Sequence, residues 1–436
     1  MYGDICSWRV TRRRVSWMVM GMVSAMTMAC HGMLDVSDPT LVRDPDIANA
    51  EGANARRLNA LGVFTQTASA LAVDVARFSD EWVFDIPAGQ TPNAIDVRDS
   101  QGYEQAAGTT DRHLGLWDQV YYQTSIAIPA VRAYTPDSLK GDFLGHLYGM
   151  RGYAVLQIAE DVCPGFPLND VSPDNRPLFS GPLSTDSALA LANAELDSAV
   201  KYVRDSVRFV TLARVAKGRA LLDEGKYSEA AAVVAVVPTD AVYQTESVNQ
   251  FYAQMRPGRW RDGDFNVAVG DREGGNGLPY VSANDPRIPL AVGGASATNA
   301  LDTLYITTKY TAAFDPITLA SGVEARLIEA EAALNAGDPN WLTILNTLRA
   351  TVGLSALSDP GPMAAQVDLL YSERAFWLYM TGRRLGDLRR LVRNYGRNPE
   401  TVFPSGPGYG NATAFPFVLA AEQVGNPYIT AGCTSR

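Results

Sequence analysis

Tyr371–Arg390 reads YSERAFWLYMTGRRLGDLRR, and the fold can be worked outward from it. Its centre, Ala375–Met380, is apolar on every side, which predicts a helix buried all round rather than one lying on a surface. Good helix formers lead in from about Ala364, and Gly382 supplies the break that a helix end favours. A second short segment follows, carrying Arg383, Arg384, Asp387, Arg389 and Arg390. A buried helix, a glycine and an arginine-rich helix make a hinge around which other helices can pack.

The chain has 436 residues, room for one large helical domain or two or three ordinary ones. With 47% hydrophobic and 19% charged residues it has a normal globular composition. The formal charge is −10, and the first 29 residues hold Arg9, Arg12, Arg13 and Arg14 against Asp4, so the remainder is more acidic still. An acidic body binds nucleic acid poorly, and none is expected as a partner. The arginines near 383–393 are therefore expected to pair with internal carboxylates.

Residues 1–29 read as a bacterial export signal: arginines, the apolar run Val15–Met28, then small residues before a cysteine. The run is too short for a spanning helix. Thr27-Met28-Ala29-Cys30 is similar to a lipobox, which makes Cys30 the lipidated first residue of a mature domain covering 30–436. An acyl chain there would anchor the protein to a membrane without spanning it. An ordinary signal peptide cut nearby is the alternative.

Apolar spacing predicts helices over 45–80, about Leu114–Ala133, Gly141–Ala159 and Leu189–Val203, with a loop from Asp85 to Tyr103. Two stretches read as helix, tight turn, helix: Ala213–Val236 around Gly225-Lys226-Tyr227, and Ala325–Leu348 around Gly337-Asp338-Pro339. Both have the flavour of a tetratricopeptide unit, which cannot bury its apolar stripe alone and must stack on neighbours. Residues 240–317 change character, becoming rich in Gly, Asn, Asp and aromatics, with short β-type runs such as Leu304–Thr308. A loop-rich insertion of this size in a helical scaffold points to function.

These landmarks resemble the SusD/RagB family. Glu373, Arg374, Gly382, Arg384, Asp387, Leu388, Arg389 and Arg390 match its C-terminal signature, while Thr381, Leu385 and Gly386 depart from it. Trp117, Tyr121 and Arg151, the turn ending in Pro167-Leu168, Asn284-Asp285-Pro286-Arg287, and the closing Phe415-Pro416-Phe417, Glu422 and Asn426-Pro427 follow in the family's order. The resemblance implies an all-α scaffold of irregular tetratricopeptide-like hairpins with a loop-rich insertion. It also implies an outer-membrane, surface-exposed lipoprotein that captures a nutrient, an oligosaccharide or a similar ligand. That ligand would pass to a SusC-like TonB-dependent outer-membrane barrel. A surface glycoside hydrolase and a tetratricopeptide-type protein scaffold are the rivals, and a peptide ligand stays open.

No nucleophile elbow, H-E-x-x-H, Walker A loop or clustered Cys/His site is present, and no catalytic residue is assigned. Asp80, Glu81 and Asp85 could supply a carboxylate pair for glycoside hydrolysis, but read more simply as charges at a surface turn. Asp262, Asp264, Asn266 and Glu273 fall at positions 1, 3, 5 and 12 of an EF-hand-like loop, with Val267 where glycine is required. A polar glycine-rich loop is the main reading there, with no cofactor, and calcium is the alternative.

A glycan needs flat aromatic faces and planar polar groups. The loop residues Trp82, Tyr103, Trp260 and Tyr280, with Asn93, Arg98, Arg261 and Asn276 near them, are the binding candidates; Trp117, Tyr121, Trp341 and Trp377 belong to helical stripes and the core. Cys163 and Cys433 sit beside turn residues in a compartment that permits disulfides, and are expected to pair, two buried thiols being the alternative.

Overall fold

In the computed structural model the described residues are 47–85, 94–107, 112–172, 176–245, 247–255, 266–296, 302–419 and 425–433. Asn49–Arg436 form one unit, the helical body. Cys30 and the leader lie outside the described residues.

Helix α1 (Ala50–Phe78) starts where Asn49 caps it, its side chain accepting the Gly52 N–H at 2.9 Å. Ribbon strand β1 (Trp82–Asp85) and the short helix α2 (Ser100–Ala107) overlap the two ends of the Asp85–Tyr103 stretch expected to be loop. Helices α3 (His113–Tyr134), α4 (Asp137–Asp161) and α5 (Thr185–Tyr202) then stack one on the next, with α1 against α3. Helices α6 (Val207–Asp223) and α7 (Tyr227–Val234) form the first predicted hairpin, α9 (Gly322–Asn335) and α10 (Asn340–Thr351) the second, and α9 packs on both α6 and α7. Each hairpin turns on a glycine in the left-handed region, Gly225 at φ 73° and Gly337 at φ 71°.

The middle of the chain holds α8 (Gln250–Met255) and strands in antiparallel pairs. These are β2 (Asp170–Val171) with β3 (Pro177–Leu178), β4 (Val242–Gln244) with β8 (Thr318–Ser321), β1 with β5 (Asn266–Val269), and β6 (Leu290–Ala295) with β7 (Thr303–Thr307). The fold is all-α in its architecture, and among the described residues each sheet has two strands.

One apolar core runs between α1 and α3–α6, where Phe64 packs on Trp117, Tyr153 and Tyr243. A second, around Leu327, Trp341, Leu370, Leu388 and Phe415, closes the C-terminal helices. Each such fully buried side chain contributes about 1.5–3 kcal/mol. Cys163 and Cys433 are joined, with Cα atoms 5.5 Å apart.

Helix α11 (Met363–Trp377) ends earlier than the apolar run predicts. Met380, at φ 54°, and Gly382, at φ 74°, turn the chain sharply into α12 (Arg384–Tyr395), which the short helix α13 (Pro399–Val402) follows. Tertiary bonds replace the missing helical ones: Met380 donates its N–H to Glu81 Oε1 at 2.8 Å, and its carbonyl accepts the Tyr310 hydroxyl at 3.0 Å. Of the arginines at 383–393, Arg383, Arg384 and Arg390 pair inward with Glu324, Asp80 and Asp387, while Arg389 donates to main-chain carbonyls and Arg393 pairs with the exposed Asp186. Arg374 is bidentate on Asp387, and Arg390 reaches Asp387, Glu331 and Asp223 at 2.7, 2.9 and 3.0 Å.

Candidate functional site

The β1/β5 ribbon gives the loop-rich half its frame. Its inner end is fixed because Trp82 sits in the core, edge-on to Phe251 at 5.1 Å. At its outer end Asp85 lies opposite Asn266. There the Ser296 hydroxyl donates to Asp85 Oδ1 at 2.7 Å. Asp85 leads into 86–93, Asn266 follows 256–265 and Ser296 precedes 297–301, so the flanks of three separate stretches meet at one place. The candidates Asn93, Trp260 and Arg261 fall in two of those stretches, outside the described residues, as do Asp262 and Asp264.

Beside the ribbon lies a collar of polar groups. The Arg77 guanidinium stands 4.3 Å from the Phe84 ring centroid. The Asp96 carboxylate accepts the Phe84 N–H, and burial together with the charge of Glu273 pushes its pKa up to about 8. Burial also raises Glu273, whose Oε1 accepts the Tyr409 hydroxyl. At neutral pH Asp96 is thus largely protonated and able to donate as well as accept. Arg77 and Asp96 are buried behind the ribbon, so what it offers a ligand is the half-buried Phe84 ring, an apolar face with the Ser296 hydroxyl on the neighbouring residue's carboxylate.

Most other predicted binding residues have structural jobs. Trp82 and Tyr280 are 0% exposed and Tyr103 is 7% exposed, so none offers a ring face to a ligand. Tyr280 packs between Phe376 and Tyr379, with its hydroxyl 3.3 Å from Asp80 Oδ1. Tyr103 rests on Phe415. Arg98 is buried, donating to the Ala412 carbonyl at 2.9 Å, and Asn276 donates to the carbonyls of Phe403 and Glu400. These residues staple three loops into a packed layer; in sequence their glycine- and proline-rich surroundings look like exposed loops.

Asp80, Glu81 and Asp85 need the same correction, because they are buried rather than at a surface turn. Asp80 is bidentate on Arg384, and Glu81 caps the Met380 N–H with its pKa pushed up to about 8 by burial. Asp85 holds Ser296, so each of the three is committed to the fold. Asn266 belongs to an extended strand and Glu273 accepts from Tyr409, while Asp262 and Asp264 of the EF-hand-like spacing lie outside the described residues. Among the described residues no group of three or more metal-ligating side chains gathers. Phe84, Asp96, Ser296 and Tyr409 escaped the sequence reading; the β-type run Trp82–Phe84 was the one signal pointing at any of them.

On the helical side, α7, α9 and α10 enclose an open groove of about 770 Å³. Tyr227, Ala231, Ala332, Ala336 and Ile344 line it, with Glu229 among its charged residues.

No protein-family model matches the chain, and no curated protein matches its sequence. Solved structures do. A SusD superfamily protein from Bacteroides vulgatus superposes with a TM-score of 0.66 at 15% identity, covering 89% of this chain and 99% of that one. One from Bacteroides thetaiotaomicron gives 0.65 at 13%, covering 88% and 100%. The chain has the SusD fold. A SusD-like carbohydrate binding protein from Bacteroides vulgatus gives 0.59 at 14%, covering 78% and 83%. Within this SusD fold the resemblance's Arg151 lies on α4, 4.1 Å from the Tyr121 ring centroid, and pairs with Asp170 at 3.0 Å and Glu195 at 3.3 Å. Trp117, Tyr121 and Trp341 are in the SusD core as expected, and Trp377 is half-buried beside Arg287. No helix among the described residues is long and apolar enough to cross a membrane.

Proposed function

We propose that this protein is a cell-surface binding lipoprotein. It captures a nutrient, an oligosaccharide first among the candidates, and delivers it to a SusC-like TonB-dependent barrel. The observation that carries this reading is a fold likeness spanning 99% of a Bacteroides vulgatus SusD superfamily protein, together with likeness to a SusD-like carbohydrate binding protein. The half-buried Phe84 ring and Ser296, where three loop flanks meet, form the proposed capture site. Capture needs no chemistry: the carboxylates noted in the sequence serve the fold, and the protein is read as a non-enzyme. Lipid on Cys30 would hold it at the outer membrane.

The deciding experiment is a pull-down of the tagged protein from solubilised native outer membrane. A stoichiometric TonB-dependent barrel supports the reading. A protein recovered without a barrel from the periplasmic fraction sinks it. Replacing Cys30 with serine should release the protein from the membrane fraction. The α7–α9–α10 groove favours a second role for the helical face, contact with a protein partner, as in the scaffold reading.

A further inference from the structure

Arg374, Arg383, Arg384, Arg390 and Arg393 each face a carboxylate within ion-pair distance. Arg389 does not, among the described residues. Its Nη1 donates to the carbonyls of Ala159, Glu160 and Val162 at 3.1, 2.6 and 3.2 Å, closing the C-terminal end of α4. Nε and Nη2 have no protein partner among the described residues, and the side chain forms part of the wall of a cavity of about 280 Å³. Arg393, four residues on along α12, lines the same cavity with Thr185, Thr413, Val392 and Pro164.

Burial, and then the charge of Arg393, lower Arg389 to about 10, so it stays a cation at neutral pH. Like charges at this helical spacing repel; the charges of Asp161, Asp223 and Glu160 offset part of this at Arg389, but no carboxylate lines the cavity itself. The carboxylate that pairs with Arg393, on Asp186, is 89% exposed, and such a pair is weak and exchangeable. Two guanidiniums and two threonines around one hollow stand out in a chain of net charge −10.

We infer that this cavity is an oxyanion site, taking a carboxylate or sulfate group with Arg389 and Arg393 as charged donors and Thr185 and Thr413 as neutral ones. The group can belong to an acidic sugar or to a free inorganic anion. The site is independent of the capture reading, since it asks only for an oxyanion.

The test is calorimetric titration of the full mature protein, at constant ionic strength in chloride, with sodium sulfate, glucuronate and glucose. Saturable binding of sulfate, glucuronate or both is expected, and any heat from glucose, which reports the separate capture site, should be the same in Arg393→Glu. Glucuronate alone would name an acidic sugar as the source, sulfate alone a free anion. Arg393→Glu, on a partly exposed turn, should weaken binding at least about tenfold. Lys201→Glu, an equal charge change outside the cavity, should leave it unchanged. Arg389→Gln should also lose binding, but it uncaps α4, so the decisive variant is Arg393→Glu with its circular dichroism intact. Two results would overturn the site: no saturable binding of either anion, or unchanged anion affinity in Arg393→Glu.

Discussion

Asp80 and Arg384 lie 304 residues apart and meet as a bidentate pair, Oδ1 to Nε at 2.6 Å and Oδ2 to Nη2 at 2.8 Å. Both are buried, and the charge of Arg384 helps to hold the Asp80 carboxyl below its usual range despite burial. The pair ties the segment after α1 to the start of α12. Arg384→Met leaves that carboxylate buried and unpaired, and should cost about 3–5 kcal/mol in urea unfolding at neutral pH. Replacing both partners, Asp80→Leu with Arg384→Met, should cost less than the single change. A single variant as stable as wild type would show that the pair does not hold the two segments together.

Stability should depend on pH with opposite signs at the two ends of the scale. Asp387, held at about 2 against its ordinary 3.8, chiefly by Arg374 and then Arg390, contributes stability that is lost as pH falls from about 4 towards 2. Glu81 is raised from 4.5 to about 8, so the folded state favours its protonated form. Stability therefore declines as pH rises from about 4.5 to 8. Glu81→Gln, which keeps an acceptor for the Met380 N–H, should flatten that decline and gain on the order of a few kcal/mol over wild type at pH 9. Urea titrations across the pH range read this directly; an unchanged slope would refute it.

Helices α4 and α5 approach closely because glycines face the contact. A Cβ on Gly145 would sit 2.6 Å from the Val203 backbone nitrogen, and one on Gly152 2.6 Å from Leu196 Cγ. Gly145→Ala should lose about 1–3 kcal/mol, since backbone cannot step aside. Gly62→Ala on α1 and Gly115→Ala on α3 meet nothing within 4 Å and should instead gain about 0.5–1 kcal/mol. Thermal melts of the variants decide it.

The Cys163–Cys433 bridge closes a loop of sequence separation 270 around a terminus that buries Ile429. Cys433→Ser should free that terminus and cost about 2–5 kcal/mol. Limited proteolysis with and without reductant, followed by intact mass, should show early loss of the C-terminal segment only when the bridge is absent.

At the collar, the half-buried Phe84 ring should control ligand affinity. Phe84→Ala should weaken binding about tenfold by removing the aromatic face. Glycan titrations compare the two proteins; an unchanged affinity in Phe84→Ala would clear the ring of this role.

Much of the fold is legible in the chain itself, because it rests on local rules. The 3.6-residue spacing of Leu58, Leu61, Phe64, Ala68 and Leu71 marks α1, and Gly225 and Gly337 mark the hairpin turns. An acidic chain with an arginine cluster already implied inward pairing. Which carboxylate meets which arginine was not legible, since Asp80 and Arg384 find each other only once helices pack. Nor could loop composition separate a ligand face from a packed layer: Trp82, Tyr103 and Tyr280 look exposed in sequence and are buried by neighbours far along the chain, such as Phe251, Phe415 and Phe376. The convergence of Asp85, Asn266 and Ser296 is likewise tertiary, because backbone pairing between distant strands leaves no periodic trace in either one. Local sequence determined the elements and their caps; long-range packing and charge pairing decided what lies on the surface.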